Sequence, residues 1–485
     1  MALADDRSAL DARLRAVGQS HLLTFHDRLP ADQQAALRAG IASINLDEVP
    51  ALVDRYVKSE PKPEAPADLA PASFYPLHHE VGPKAWDRAG YRAKGEELIR
   101  TGKVAAFTVA GGQGSRLGFE GPKGCYPGGA VTNKPLFACL AEWILAAQHR
   151  FAGPGVTIPW YIMTSPQNHA ATVEFFKNHA FFGLAERDVM FFPQGVMPAL
   201  DLKTGQILLN DQHEPSLAPD GHGGSLRALH ASGAIADMRR RGVEYISYTQ
   251  IDNPLVRVID PTFLGLHAFA PDSSAEMSSK MVMKAGPDEK VGVFAKANGR
   301  TAVIEYSDLP AELSRRIAPD GSLLFCAGSI AIHIISVSFV ERLNAGTGFS
   351  LPYHRAQKKI PFVDLATGQR VEPTTPNAVK LETFVFDAVP LCKSSIVLET
   401  DRTEEFAPIK NATGSDSPES CRRLQTLRAA RWLEPAGVLV PYAADGSPHC
   451  TIELSPLTAL WAEDLRGPNK PTLPAAIGTD AAVVL

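Results

Sequence analysis

Residues 110–118 read AGGQGSRLG, and PKG follows at 122–124. The glycines come directly after VAAFTVA at 104–110, an apolar run with β-branched members that is typical of a buried strand. The chain must therefore turn at the carboxyl end of a strand, which is where open α/β sheets bind their ligands. Glycines in such a turn let backbone N–H groups approach a phosphate or a base, because no Cβ stands in the way.

Three interpretations of this loop compete, and its spacing tests two of them. A dinucleotide fingerprint needs glycine at the sixth position of G-x-G-x-x-G, but counting from Gly112 that position holds Leu117. A P-loop needs G-K-[ST] at a spacing that neither Arg116 nor Lys123 satisfies. What remains is a Gly-rich loop with two cations, which suits a triphosphate, or a solvent-exposed turn whose cations only aid solubility.

The segments around this loop alternate between strand-like and helical patterns. WYIMTS at 160–165, VMFFPQ at 189–194 and YISYTQIDN at 245–253 are predicted strands, and AATVEFF at 170–176 is a predicted helix. Such alternation predicts an α/β fold with a mainly parallel, doubly wound sheet.

The two ends of the chain differ from this pattern. Residues 1–58 carry apolar residues at helical spacing and a helix start at PADQQAALRAGIA, so the N-terminal region is predicted to be helical. PKPEAPADLAPASFYP at 61–76 is Pro-rich and is predicted to be a linker or an extended arm. Runs such as SSIVLET and GVLVPY predict a smaller, β-rich C-terminal domain.

Composition excludes several classes of protein. The chain has 485 residues, which predicts two or three domains, and its net charge of −5 offers no basic field for nucleic acid. The most apolar long stretch, SIAIHIISVSFV at 329–340, is too short to span a membrane. Six scattered cysteines without a C-x-x-C pair, and no apparent signal peptide, predict a cytoplasmic protein with reduced thiols.

Further candidate functional residues lie outside the first loop, each with a simpler interpretation. PDGHGG at 219–224 runs into SLRALHASGAIADM, predicted to be one helix capped by Ser225, although a plain loop–helix junction would look the same. Asp252 ends a strand where it could hold Mg²⁺, or it could simply cap a turn. Glu305 and Tyr306 could contact a sugar, or they could belong to a salt-bridged edge strand. Several lysines near apolar runs could bind a phosphate, or they could simply be solvated.

Taken together, the motifs match a family. AGGQGSRLG…PKG, MTS, PQGVMPAL, PDGHGG…RAL, DNPLVRVIDP, EKVGVFA, VIEYSDLP, AQKKIPFVD, VKLETFVFD, EEFAPIKNA and IELSPLTALWAEDL occur in this order. The chain resembles the eukaryotic-type UDP-N-acetylglucosamine pyrophosphorylases, within the UTP–sugar-1-phosphate uridylyltransferases, over roughly residues 85–470. The resemblance implies a Rossmann-like nucleotidyltransferase domain at 96–385, a helical N-terminal region with its Pro-rich linker at 1–95, and an α+β C-terminal domain at 386–485.

The resemblance also implies roles for individual residues. Those expected to bind UTP are Val109, Ala110, Gly111, Gly112, Gln194, Gly221 and Asp252. The catalytic cations are expected to be Arg116, Lys123, Lys380 and Lys410. The residues expected at the sugar are His222, Gly292, Glu305, Tyr306 and Ser329. Asp252 is also expected to anchor Mg²⁺, the one cofactor implied.

The implied chemistry agrees with these residue types. UTP and a sugar-1-phosphate are both anions, so cations and Mg²⁺ would screen their repulsion and the charge that develops on the leaving pyrophosphate. Positioning and electrostatics suffice for such a transfer, and no Ser–His–Asp or Cys–His set is evident. The expected partners are therefore UTP and a sugar-1-phosphate, with no nucleic acid and no membrane. The pattern carries no prediction of oligomeric state.

Two positions depart from the family. His222 stands where asparagine is usual, and so does Ser329 in AGSI. The first expectation for the sugar is N-acetylglucosamine-1-phosphate, and the alternative is a glucose, galactose or broad-specificity UDP-sugar pyrophosphorylase. A non-catalytic nucleotide-sugar-binding protein is a further alternative, but such a protein should have lost a cation or the aspartate, and all are present.

Overall fold

A computed structural model describes residues 7–59, 68–79, 84–346 and 351–485. The chain divides into two compact units. The smaller unit comprises Met1–Glu64, Gln194–Ser225 and Leu351–Val385, and the larger unit comprises Ala65–Pro193, Leu226–Ser350 and Phe386–Leu485. The predicted domain bounds, at residues 95 and 385, stay a prediction. The units interleave along the chain, while the prediction assumed consecutive domains.

The larger unit is built on a ten-stranded sheet. Its strands, numbered in chain order, are β1 (Ala70–Pro71), β2 (Val104–Val109), β3 (Trp160–Thr164), β4 (Val189–Pro193), β5 (Tyr245–Gln250), β6 (Met277–Met283), β7 (Val293–Ala297), β8 (Arg300–Ile304), β9 (Ala327–Ser336) and β10 (Val397–Glu399). The main order is β1-β7-β9-β5-β2-β3-β4, with β8 paired to β7, and with β6 paired to both β9 and β10.

The parallel part of this sheet is the part that the sequence predicted. Strands β5, β2, β3 and β4 are consecutive and parallel, and the predicted strands at 160–165, 189–194 and 245–253 are confirmed. Strands β2 and β3 are almost entirely buried, as expected for strands covered on both faces. Since parallel strands all end at the same edge, this edge gathers the turns that follow Val109, Thr164 and Gln250.

The rest of the sheet is mostly antiparallel and was not predicted. Strand β9 pairs antiparallel with β5, β6 and β7, and β8 forms a hairpin with β7. Part of the Pro-rich stretch supplies the short strand β1, which pairs with β7, while residues 60–67 lie outside the described residues.

Helices cover the larger sheet. Those of eight residues or more that lie wholly in the larger unit are Arg88–Arg100, Leu136–Phe151, His169–Asn178, Ala234–Arg241, Pro261–Phe269, Val337–Asn344 and Pro418–Leu433. The first packs closely on Pro261–Phe269, because an added Cβ at Gly95 would lie 1.7 Å from the Pro261 carbonyl oxygen, and one at Gly265 would lie 1.8 Å from that of Tyr91. Only glycine permits this approach. No helix in the described part of the chain is long and apolar enough to cross a membrane.

The single helix predicted over SLRALHASGAIADM is wrong. The structure has two helices, Gly224–Ala231 and Ala234–Arg241, separated at Gly233, whose φ of +82° interrupts helical geometry. Ser225 is the second residue of the first helix, so it does not occupy the predicted cap position before the helix.

The C-terminal region has less strand than predicted. Its longest element is the helix Pro418–Leu433, which begins with a capping box between Ser417 and Ser420. SSIVLET supplies β10 of the central sheet, and GVLVPY forms no strand beyond isolated bridges. Two three-residue strands, Thr451–Glu453 and Ala482–Val484, pair in parallel beside an apolar cluster that includes Leu433 and Ile452. The pattern of short apolar runs did not distinguish packed loops from strands.

The smaller unit combines the predicted N-terminal helices with short strands from distant parts of the chain. Its helices are Arg7–Ala16, Ala31–Ala42 and Val49–Val53. Its strands are Val196–Pro198, Leu200–Asp201, Leu209–Asp211, Glu214–Pro215, Leu217–Pro219, His354–Lys358, Phe362–Val363, Arg370–Val371 and Ala378–Glu382. Leu14 and Ile41 of the helices share one buried cluster with Val379 and Leu381.

Candidate active site

The Gly-rich loop begins where β2 ends, as predicted. Val109 is the last residue of β2, and Ala110 is fully buried. The loop folds back on itself, because the Lys123 N–H donates to the Gly112 carbonyl at 3.0 Å. Arg116 lies exposed in the short turn Ser115–Leu117, and Lys123 opens the next turn. The loop therefore presents both predicted cations on fixed turns.

A side chain that the sequence analysis did not identify holds this loop. Asn168 follows β3 and is 1% exposed. Its Nδ2 donates to the carbonyls of Ala110 at 3.1 Å and Gly112 at 3.2 Å, while its Oδ1 accepts from the Ser165 N–H at 2.7 Å. The only sequence signal was its place just after a predicted strand, which does not distinguish it from a turn residue.

Asp252 and Lys123 meet at the same edge of the sheet. The Lys123 Nζ lies 3.4 Å from the Asp252 Oδ2, and both side chains are mostly buried, at 16% and 12% exposure. The Gly-rich loop follows β2 and Asp252 follows β5, so the pairing is a direct result of the parallel order of these strands. The structure thus places a carboxylate and an ammonium group beside the Gly-rich loop.

The segment that carries Lys410 is tied to this edge. The Ile409 N–H donates to the Asp252 carbonyl at 2.8 Å. Next in the chain, the Lys410 N–H donates to the Asp416 carbonyl at 2.6 Å, and its Nζ lies 5.6 Å from the centre of the Phe406 ring. The larger unit therefore brings together Lys123, Asp252 and the Lys410 segment.

Asp416 is a second carboxyl group near these charges, and sequence analysis missed it. Its pKa is raised by burial, and the charges of Asp252 and Glu289 add to this effect, whereas Lys410 and Arg402 oppose it. No sequence motif marked this residue, because its position depends on how the loop after Lys410 folds back.

Beneath the Lys410 segment lies a buried ion cluster, which we define as Lys280, Asp260, Glu405 and Arg257. The Lys280 Nζ lies 2.6 Å from both the Asp260 Oδ2 and the Glu405 Oε2, and its side chain is 1% exposed. Burial alone would raise the pKa of Asp260, but the charges of Lys280 and Arg257 lower it overall. The cluster anchors Glu405, five residues before Lys410.

Three of the predicted sugar residues lie together in the larger unit. The Ser329 N–H donates to the Gly292 carbonyl at 2.8 Å. A Cβ added at Gly292 would lie 3.5 Å from the Glu305 Oε1 and only 2.7 Å from the Val303 Cγ1. A glycine at this position therefore lets the Val303 side chain pack against the backbone. Glu305 comes just after β8, and the adjacent Tyr306 is 48% exposed.

The smaller unit holds Gln194, Gly221, His222 and Lys380. Gln194 is buried, and the next carbonyl, that of Gly195, accepts from the Asp220 N–H at 3.2 Å. Gly221 has a φ of +87°, and an added Cβ would lie 2.4 Å from the Thr383 carbonyl oxygen, so no other residue fits there. Lys380 lies on the strand that precedes Thr383, and its Nζ lies 2.6 Å from the Glu382 Oε1.

His222 is fixed by the backbone that follows this strand. The Val385 N–H donates to its Nδ1 at 3.1 Å, and the ring stacks on Phe384 with centroids 5.2 Å apart. Phe384 also stacks with His354, at 4.2 Å. Because Nδ1 accepts a hydrogen bond, the neutral imidazole carries its proton on Nε2.

The described residues contain no group of three or more histidine, cysteine, aspartate or glutamate side chains arranged to hold a metal ion. This still fits Mg²⁺, which proteins often bind through one or two carboxylates together with substrate phosphates. Asp252 is a carboxylate that could supply such a ligand, because it lies beside Lys123 at the edge of the sheet.

Comparisons with known proteins agree with the motifs. A family model described as UTP–glucose-1-phosphate uridylyltransferase matches residues 77–440. UDP-N-acetylglucosamine diphosphorylase 2 of Arabidopsis thaliana is 36% identical over 480 residues, covering 95% of this chain and 91% of the relative. UDP-N-acetylglucosamine pyrophosphorylase of Saccharomyces cerevisiae is 37% identical over 435 residues, covering 87% of this chain and 90% of the relative.

A solved structure has the same fold across nearly the whole chain. The uridine diphosphate N-acetylglucosamine pyrophosphorylase of Trypanosoma brucei, determined with an inhibitor, is 29% identical with a TM-score of 0.78. The match covers 95% of this chain and 94% of that one. Together with the family match over most of the chain, these likenesses show that the protein belongs to the UTP–glucose-1-phosphate uridylyltransferase family.

Proposed function

We propose that the protein transfers the uridylyl group of UTP to N-acetylglucosamine-1-phosphate and releases pyrophosphate. A phosphate oxygen of the sugar-1-phosphate attacks the α-phosphorus of UTP. The bond from that phosphorus to the bridging oxygen breaks, and pyrophosphate leaves with the electron pair. The arrangement that supports this most is the Lys123–Asp252 pair, with the backbone of Ile409 bonded to Asp252 and Lys410 next in the chain.

Each charged group then has a proposed role. The Gly-rich loop binds the nucleotide through its N–H groups, and Arg116 and Lys123 meet its phosphates. Lys410 binds the incoming sugar phosphate, and we also assign Lys380 to a UTP phosphate, as the family resemblance implies. These cations offset the charge of two anionic substrates and of the leaving pyrophosphate, which is the main requirement of phosphoryl-type transfer.

We propose Asp252 as the protein ligand of Mg²⁺. When bound, the ion would neutralise phosphate charge and polarise the phosphorus–oxygen bonds. Lys123 already lies 3.4 Å from this carboxylate, so the same pair would orient the phosphates from two sides. The loop from Gln194 and the Gly221 turn are proposed to contact the uracil end.

N-acetylglucosamine-1-phosphate is the proposed sugar because relatives named for it align with nearly the whole chain. His222 and Ser329 keep a glucose, galactose or broad-specificity activity as the second candidate, since both replace the usual asparagine. We further propose a cytoplasmic location, supported by six cysteines that are all unpaired.

A pyrophosphate-release assay tests the proposal. We expect turnover with UTP and much slower turnover with CTP, ATP or dTTP, each against N-acetylglucosamine-1-phosphate, glucose-1-phosphate and galactose-1-phosphate. Lys123→Met should lower the rate strongly, while Lys177→Met, at an exposed position on the same unit, should not. Equal rates with ATP would contradict the nucleotide assignment. No release with any pair, combined with binding of a UDP-sugar, would favour the non-catalytic alternative.

A further inference from the structure

We propose that two buried asparagines, Asn168 and Asn253, are positioning residues that each organise the binding of one substrate. Asn168 fixes the loop assigned to UTP, and Asn253 fixes the segment that carries Lys410, assigned to the sugar phosphate. Both lie in the larger unit, and neither is among the residues expected to touch a substrate. The inference rests on the proposed function, because it assigns one substrate to each loop.

Asn168 uses its whole amide on the backbone around the Gly-rich loop. Nδ2 donates to two loop carbonyls, those of Ala110 and Gly112, and Oδ1 accepts from the Ser165 N–H. The two acceptors lie on either side of Gly111, so one side chain fixes both ends of a tripeptide that has two glycines. A glycine-rich segment has little conformational restraint of its own, so its geometry depends on this contact.

Asn253 joins the turn after β5 to the chain before Lys410. It is 5% exposed, its Nδ2 donates to the Glu405 carbonyl at 2.6 Å, and its Oδ1 accepts from the Ala407 N–H at 3.0 Å. The same Oδ1 accepts from the Leu255 N–H at 3.2 Å. One amide therefore holds its own turn and two points of the distant segment.

The neighbouring contacts show what this bridge achieves. The Ile409 N–H is bonded to the Asp252 carbonyl, so the segment is fixed at residues 405, 407 and 409, and Lys410 follows at once. The Glu405 carboxylate is itself held by Lys280. Without the Asn253 side chain, the bonds to the Glu405 carbonyl and the Ala407 N–H are lost. The bond at Ile409 and the ion pair of the Glu405 carboxylate remain. We therefore expect Lys410 to be displaced rather than the fold to be lost.

The two residues serve as controls for each other. They are the same residue type, both are buried, and each makes three or more hydrogen bonds to backbone. Loss of general stability would affect both variants and both substrates alike. Loss of positioning would affect one substrate in each variant.

The test compares Asn168→Ala and Asn253→Ala in the full-length protein, well below the melting temperature of each. Asn168→Ala should raise the KM for UTP about 10-fold, as one or two lost hydrogen bonds would, and change the KM for sugar-1-phosphate less than 2-fold. Asn253→Ala should raise the KM for sugar-1-phosphate about 10-fold, lower kcat, and leave UTP binding unchanged. Calorimetric titration with Mg²⁺ and UTP gives the nucleotide affinity without turnover.

Asn168→Asp adds a sharper comparison. It keeps the shape and the acceptor for the Ser165 N–H but replaces the donor by a carboxylate oxygen that faces two carbonyls, so it should weaken UTP binding at least as much as alanine does. If an alanine variant does not fold, the serine variant at that position is used for the same comparison.

Effects of equal size on both substrates in both variants, or no effect on either, would overturn the inference. Its failure is distinguishable from failure of the proposed function. An inactive wild-type protein that binds UTP would refute the transfer reaction, while the titration of Asn168→Ala would still decide the role of Asn168.

Discussion

Replacing Lys280 by methionine should destabilise the larger unit and weaken the use of the sugar phosphate. Lys280 is the one ammonium group bonded to both Asp260 and Glu405 in the buried ion cluster, at 2.6 Å from each. Methionine keeps a similar volume but removes the charge, so two buried carboxylates lose their nearest partner. Arg257 remains, but it lies 3.5 Å from Glu405.

The size of the effect follows from burial. Removing one partner of a buried ion pair costs about 3–5 kcal/mol, because the remaining charge stays in a medium of low polarity. A unit of about 350 residues has an unfolding entropy near 0.7 kcal/mol per kelvin, so the melting temperature should fall by about 4–7 °C. The pairing of the four groups is therefore measurable even in a large protein.

A double-mutant cycle isolates the pairing from the loss of packing. Lys280→Met, Glu405→Gln and the double variant are melted at one scan rate, and their sugar-1-phosphate KM values are measured at 25 °C. The double variant should lose about 1–3 kcal/mol less free energy of unfolding than the two single variants lose together. Single effects that add within about 0.5 kcal/mol, or a fall in melting temperature below about 2 °C, would refute the reasoning.

Three further predictions concern single side chains. Asp252→Asn should lower kcat by about 100-fold and shift the Mg²⁺ dependence of the rate to higher concentration, because the substitution removes the charge but keeps the shape. Near-full activity at ordinary Mg²⁺ would show that Asp252 is only a turn residue. Lys380→Ala should raise the KM for UTP, and Lys410→Ala should raise the KM for the sugar phosphate. Full activity in both variants would show that these lysines are only solvated. Burial lowers the pKa of His267 to about 3, so its folded form takes up a proton less readily than the unfolded form. The contribution of His267 to the free energy of unfolding is complete above about pH 6.5, and it is lost as pH falls, by about 1.4 kcal/mol per pH unit. Between pH 7.5 and 5.5, the melting temperature of His267→Gln should therefore fall less than that of the wild-type protein.

The parallel part of the sheet could be predicted because its signal is local. An apolar run such as VAAFTVA must be buried, and glycines after it must turn, whatever the rest of the chain does. The break at Gly233 and the helix Pro418–Leu433 were missed for a related reason. A helical pattern continues through a single glycine, and a helix that packs on several sides shows no clear apolar stripe.

The interleaved units could not be predicted from local patterns. Residues 194–225 leave the central sheet, pair with a strand near residue 380, and then return to the sheet. Pairings of this kind depend on contacts between segments more than 150 residues apart, such as the bond between Asp220 and Thr383. Periodicity within either segment carries no information about the other.

The candidate site shows the same limit at the level of side chains. The residue pattern around Asp252 fitted both a Mg²⁺ ligand and a turn residue, and the family resemblance implied the ligand. The structure brings Lys123, from the loop after β2, to within 3.4 Å of this carboxylate, a contact that no pattern around Asp252 indicated. The positioning roles proposed for Asn168 and Asn253 could not be predicted from the sequence, for a different reason. Their partners are backbone groups, which have the same chemistry at every residue and leave no mark on the sequence.

His222 illustrates what a departure from the family pattern does and does not change. The Nδ1 of histidine and the Oδ1 of asparagine are each attached to Cγ, so either atom can accept the Val385 N–H that holds the loop. The turn at Gly221 is fixed by its own backbone approach to Thr383, and Ser329 is held to Gly292 by its N–H, which any residue supplies. The framework of both segments is therefore independent of the two substitutions. What changes is the group that each side chain offers beyond that framework: a ring N–H stacked beside Phe384 in place of an amide, and a shorter hydroxyl. We therefore expect His222→Asn combined with Ser329→Asn to change the ratio of kcat/KM values for N-acetylglucosamine-1-phosphate and glucose-1-phosphate more than the rate of uridylyl transfer itself.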